Sequence, residues 1–142
     1  MGKKVCAVNV QLAGNGTKLP VYSTTEAAAA DCYIPEAVML APGEIKKVPL
    51  GIRFDIPEGY CVKMYPRSSL LIKKGLMTPV SIIDSDYHGE VSAPLINLST
   101  ETITIAEGER ICQIMLEEVL TMINIKRIRV ARDQNGFGGT GK

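Results

Sequence analysis

Histidine is almost missing from this chain: 142 residues contain one, His88, and the four cysteines, Cys6, Cys32, Cys61 and Cys112, form no C-x-x-C pair. A structural zinc site needs four clustered nitrogen or sulfur ligands, so none is expected. Each cysteine lies in or beside an apolar run, where it acts as a small hydrophobe, and reduced thiols in a cytoplasmic compartment are the simplest expectation. Net charge is lacking as well. At +1 it gives no ground for nucleic acid or an anionic membrane as a partner, and Lys126, Arg127 and Arg129 read as a solvated strand face. No apolar run approaches the ~18 residues of a membrane span. Asn9 and Gln11 interrupt any signal-type stretch, and Cys6 stands where a myristoylation motif needs Ser or Thr. Internal self-similarity is also absent, which excludes a repeat architecture. The expectation is one soluble domain, long enough to bury roughly two-thirds of its unfolded surface.

What is present is a succession of short strand-like runs about every ten residues. Lys4 to Leu12 alternates loosely and is closed by Gly14-Asn15-Gly16, and Leu19 to Tyr22 follows. Further runs cover Val38 to Ala41, Glu44 to Ile52, Tyr60 to Tyr65, Val80 to Ile83, Glu90 to Leu98, Thr102 to Ile105, Arg110 to Val119 and Lys126 to Ala131. Turn chemistry separates them, as in Ala41-Pro42-Gly43 and Ile56-Pro57-Glu58-Gly59. Ala27 to Ala30 is too short for a helix, and Asp31-Cys32-Tyr33-Ile34-Pro35 breaks any that starts. Ser68 to Lys74 is the one expected helix, with a serine capping its first turn and Gly75 its end. This pattern predicts an all-β antiparallel sandwich or jelly roll. Residues 1–133 form the domain. Residues 134–142, with glycine at 136, 138, 139 and 141, form a mobile tail with little but Phe137 to bury against the cost of ordering.

The densest set of reactive groups lies in Ile82-Ile83-Asp84-Ser85-Asp86-Tyr87-His88-Gly89-Glu90-Val91, read as a β-hairpin. Four other stretches stand beside it: Ala28-Ala29-Ala30-Asp31 after Pro20-Val21-Tyr22; Pro66-Arg67-Ser68-Ser69-Leu70; Gly108-Glu109-Arg110-Ile111-Cys112-Gln113; and Arg132 through Gly136-Phe137-Gly138-Gly139-Thr140-Gly141. Taken in order, from about Pro20 to Lys142, they resemble the five motifs of the trimeric dUTPases, the deoxyuridine triphosphate nucleotidohydrolases.

The resemblance implies a jelly roll with one short helix after the second motif, and hydrolysis of dUTP to dUMP and pyrophosphate. Such chemistry needs a water aimed in line at the α-phosphorus, a carboxylate to polarise it and cations on the phosphates. By resemblance the base is Asp84, and Asp86 is a turn residue. Tyr87 lies under the deoxyribose, Phe137 stacks on uracil, and the backbone from Thr78 through Ser81 to Ile83 reads the base. Ser68, Ser69, Gln113, Arg132, Gly138, Gly139 and Thr140 meet phosphate. Arg67 either meets phosphate or ties the assembly together; Asp31 either lies near the metal-bound triphosphate or pairs with an arginine. Strict alternation sets Arg110 and Gln113 on opposite faces unless a bulge intervenes, so Arg110 is read as structural. His88 is read as solvent-facing.

The same resemblance implies Mg²⁺, held mainly by the triphosphate and water, and a homotrimer whose sites draw the hairpin, the phosphate motifs and the tail from different subunits. The chain departs from the family pattern at Ser81 and Ser69, where glycine is usual, at Gly139, where serine is commoner, and at Glu26 and Ala29. Two other readings stay open: a dCTP deaminase of the same superfamily, alone or bifunctional, and a catalytically silent nucleotide-binding regulator.

Overall fold

The computed structural model describes residues 5–128. Within them the chain forms ten strands and one helix: β1 (Asn9–Leu12), β2 (Ala30–Tyr33), β3 (Val38–Leu40), β4 (Ile45–Asp55), β5 (Tyr60–Pro66), α1 (Ser68–Lys74), β6 (Leu76–Met77), β7 (Ser81–Ile83), β8 (Val91–Asn97), β9 (Ile103–Ile105) and β10 (Arg110–Glu118). They build two four-stranded sheets, β1-β4-β8-β6 and β2-β10-β5-β7, and a two-stranded β3-β9 ribbon. Every pairing is antiparallel. This is the all-β architecture the strand spacing predicts.

The core lies between the two large sheets because strand side chains alternate across the pleat. On β4 this sends Val48, Leu50, Ile52 and Phe54 inward, to meet Val91, Ala93 and Leu95 of β8 and Val62, Met64 and Ile114 of the other sheet. Each large apolar side chain so buried contributes about 1.5–3 kcal/mol. The pairing of β4 with β8 shifts register between Pro49 and Ile52. Gly51 sits in that break at φ 69°, and a Cβ there would lie 2.3 Å from Gly16 Cα. Only glycine meets both demands.

Several expectations need correction. Ala30–Tyr33 is a strand, mostly buried on both faces, where the sequence suggests only a helix breaker. Leu19 to Tyr22 is no strand but meets β2 through a single Val21–Asp31 bridge. The first strand begins at Asn9, not Lys4. Residues 126–128 are not strand, and the rest of that run lies outside the described residues. α1 ends at Gly75 in the left-handed conformation, as expected, but its N-cap is Arg67, with no side-chain capping bond. The stretch from Ile82 to Val91 is not a paired hairpin: β7 pairs with β5 in one sheet, while β8 pairs with β4 and β6 in the other. A turn closed by Tyr87 N–H donating to the Asp84 carbonyl (3.1 Å) carries the chain from sheet to sheet.

Candidate active site

Asp31 is the centre of one polar cluster. It lies on β2 beside Gln113 of β10, whose other neighbour is Tyr65 of β5. Its Oδ1 accepts from Arg67 Nε at 3.2 Å, and its Oδ2 accepts from Ser23 Oγ at 2.6 Å and Arg110 Nη1 at 3.2 Å. A buried carboxylate is tolerable only when so paired and hydrogen-bonded. Arg110 reaches it because the β2–β10 register shifts between Arg110 and Cys112. That bulge lets Arg110 and Gln113 serve one face, which strict alternation forbids. The Gln113 amide donates to the Pro66 carbonyl at 3.0 Å, so it sits against the entry to α1. Ser68 is exposed and Ser69 partly so in the first turn of that helix, beside Arg67.

A second group follows the outer edge of the same sheet. β7 is an edge strand, with Ser81 opposite Met64 and Ile83 opposite Val62. Ile83 is buried, Ser81 is half-buried with its hydroxyl 3.4 Å from the Pro79 carbonyl, and Thr78 is buried with its hydroxyl 3.5 Å from the Ile111 carbonyl. Asp84 is exposed just past the strand. Tyr87 is buried in the core, its hydroxyl donating to the Glu90 carbonyl at 2.6 Å. His88 is exposed, 3.8 Å from Asp55, as a solvent-facing residue should be.

These two groups are far apart within one chain. Extending the β5–β7 register by one residue sets Asp84 beside Cys61, and burial together with the charges of Glu117 and Asp84 raises the Cys61 thiol pKa, against the lowering effect of Lys63. Asp31 shares its row with Gln113 and Tyr65 on the far edge. Three inter-strand spacings and four residues along the strand separate the backbones of Asp31 and Asp84, about 19 Å in all. A triphosphate spans much less. The concavity of about 220 Å³ between Lys18, Tyr33, Pro35 and Glu107 includes none of the expected residues. Arg132, Phe137, Gly138, Gly139 and Thr140 lie outside the described residues.

Sequence reasoning missed Ser23, whose signal was only its place in a Ser-Thr-Thr run, and read Arg110 as structural without identifying its partner. Among the described residues no group of three or more His, Cys, Asp or Glu is placed to hold a metal ion, and no helix is long and apolar enough to cross a membrane.

The dUTPase family model matches residues 15–141. The chain is 42% identical over 131 residues to the deoxyuridine 5'-triphosphate nucleotidohydrolase of Finegoldia magna, covering 87% of this chain and 91% of that one. It is 38% identical over 130 residues to the same-named protein of Thermoanaerobacter sp. (strain X514), covering 87% and 88%. The fold is similar to the crystal structure of dUTPase from Streptococcus mutans, with a TM-score of 0.76 and 29% identity over 80% of this chain and 97% of that one. A dUTPase from phage phi11 of S. aureus, described with a structural Mg(II) ion, shares the fold at a TM-score of 0.77 and 22% identity, over 88% and 98%. By its family match and its identity to these relatives over most of its length, the chain belongs to the dUTPase family.

Proposed function

We propose that the protein hydrolyses dUTP to dUMP and pyrophosphate, with Asp84 polarising a water for in-line attack on the α-phosphorus. The observation that carries this reading is the sorting of the motif residues. Arg67, Gln113, Ser68 and Ser69 gather beside Asp31 at the start of α1, as phosphate ligands would. Asp84, Tyr87 and the β7 edge form a separate base, sugar and water platform. An edge strand offers main-chain donors and acceptors to a planar base as it would to another strand. Tyr87, placed under the deoxyribose by resemblance, is held by its bond to the Glu90 carbonyl, a fixed ring that would leave no room for a 2′-hydroxyl.

The wide spacing of the two groups supports a homotrimer in which the Asp84 turn of one subunit meets the phosphate cluster of another. So does the segment after β10, where Leu120, Met122, Ile123, Ile125 and Ile128 are each at least 66% exposed. An apolar stretch of that kind marks an interaction surface. Arg132, Phe137, Gly138, Gly139 and Thr140 are assigned by resemblance to a tail that closes over bound nucleotide. Both oxygens of Asp31 are engaged by Ser23, Arg67 and Arg110, which favours the arginine-pairing role. Mg²⁺ therefore fits as an ion brought with the triphosphate, which it supplies with charge neutralisation while keeping several waters. The four unbridged cysteines support a cytoplasmic setting.

The test is pyrophosphate release from dUTP, dCTP, dTTP and UTP with and without Mg²⁺, with ammonia followed in parallel. Magnesium-dependent release from dUTP alone is expected, with Ser81 leaving the base slot selective. Ammonia from dCTP would replace the assignment by a deaminase, and silence on all four by a nucleotide binder.

A further inference from the structure

Cys32 and Cys112 are used by none of the chemistry above, yet they face each other directly: they are register partners across the β2–β10 pair. Both are free, both belong to the hydrophobic core and both are at most 1% exposed. The neighbouring Cys32 thiol, together with burial, raises the Cys112 thiol pKa. Directly opposed residues in an antiparallel pair have Cα atoms roughly 4.5–5.5 Å apart, inside the range a disulfide spans. In such pairs Cβ atoms lie roughly 4.5–5.5 Å apart against the ~3.5–4.5 Å of the bond, so linking them draws the strands together by on the order of 1 Å.

We propose that Cys32 and Cys112 are an oxidative modification site, closing to a disulfide under peroxide and lowering activity by displacing the Asp31–Gln113 row. The oxidant is a peroxide. One thiolate attacks a peroxide oxygen, the O–O bond breaks, and water or an alcohol leaves a sulfenic acid. The second thiol attacks that sulfur, the S–S bond forms, the S–O bond breaks and water departs. In sum, two thiols and one hydrogen peroxide give one disulfide and two waters.

The consequence for the site follows from position. Asp31 and Gln113 are the next residues on each strand and are register partners themselves, and Asp31 holds both Arg67 and Arg110. Movement of that row moves every charged group of the phosphate cluster together. A shift of about 1 Å in positioning groups costs on the order of 10²-fold in rate. The neighbouring Cys32 thiol and burial hold the Cys112 thiol well above the ordinary range. Oxidation is therefore slow and needs local opening. β2 provides that opening, being a four-residue strand at the sheet edge. The device responds to sustained oxidation and ignores brief exposure.

The effect on activity rests on the proposed dUTP hydrolysis; formation of the bond does not. The experiment treats the folded, full-length Cys6→Ser/Cys61→Ser protein with hydrogen peroxide, maps disulfides by mass spectrometry without reduction, and follows kcat/KM for dUTP before and after dithiothreitol. A Cys32–Cys112 linkage with a fall of about ten-fold or more, restored by the reductant, is expected. Wild-type protein carried through the same mapping covers any folding defect of the double variant. Thiols that resist until the protein is denatured overturn the proposal, as does a mapped disulfide with unchanged kcat/KM. Absence of dUTP hydrolysis before oxidation overturns the functional reading instead, and the mapped bond is still read by mass.

Discussion

At the scale of single residues, the division of labour turns on two aspartates with opposite surroundings. Asp31 is buried and hydrogen-bonded by a serine and two arginines, a pairing that holds the two cations in place. Asp84 is exposed at the end of an edge strand, where a water and a phosphate have room to approach. Asp84→Asn keeps the shape and removes the proton acceptor. It is expected to bind a non-hydrolysable dUTP analogue nearly as wild type does while losing about 10²- to 10⁴-fold in kcat. Titration calorimetry beside steady-state kinetics checks both halves, and near-normal turnover would remove Asp84 from the role. The sequence alone singled out Asp84, because a motif carries its own short-range signature. It left Asp31 between two roles, because the carboxylate's arginine partners lie 36 and 79 residues away along the chain.

At the scale of elements, what was legible depended on how far each signal reaches along the chain. Turns such as Ala41-Pro42-Gly43 were legible from local dihedral preference, and the end of the helix at Ser68 to Lys74 from Gly75, while the expected serine cap at its start was not found. β2 was not, since a strand buried on both faces lacks alternation and this one follows four alanines. The supposed hairpin failed for another reason: adjacency in sequence says nothing about which sheet each strand joins. The bulge in β10 was visible only as a condition, and it joins Arg110 to the Asp31 cluster. Near it, Lys74 of α1 meets Glu109 at 3.0 Å, tying the last helical turn to the β9–β10 turn. The lysine hydrogen bond is the main reason the Glu109 carboxyl titrates below its ordinary value of 4.5. Since the folded value is the lower one, this tie contributes stability fully above the ordinary value and loses it as pH falls through the folded value. Both groups are more than a third exposed, so screening limits the contribution to about 0.2–1 kcal/mol. Urea unfolding of Glu109→Gln is expected to show that deficit at pH 7 and a smaller one at pH 3.5; an equal deficit at both would mean the carboxylate charge is not what stabilises.

At the scale of the whole molecule, one chain places its candidate base and its phosphate cluster about 19 Å apart on opposite edges of a sheet. A site within one chain and a site between chains then make different predictions when two defects are mixed. Asp84→Asn removes the base. Ser68→Asp sets a negative charge where phosphate should bind, at a helix start that favours an acid and so spares the fold. Each variant alone is expected to be inactive. Co-expressed with separate tags and purified as mixed assemblies, they rebuild a site wherever an intact turn meets an intact phosphate cluster from another subunit. Every mixed cyclic trimer, two copies of one variant and one of the other, holds that arrangement at about one site in three. Recovery of about a third of wild-type kcat, from assemblies of three-chain mass by light scattering, is the expected result. Were each site built from one chain, every site in the mixture would carry one defect and the activity would stay at the level of the separate variants.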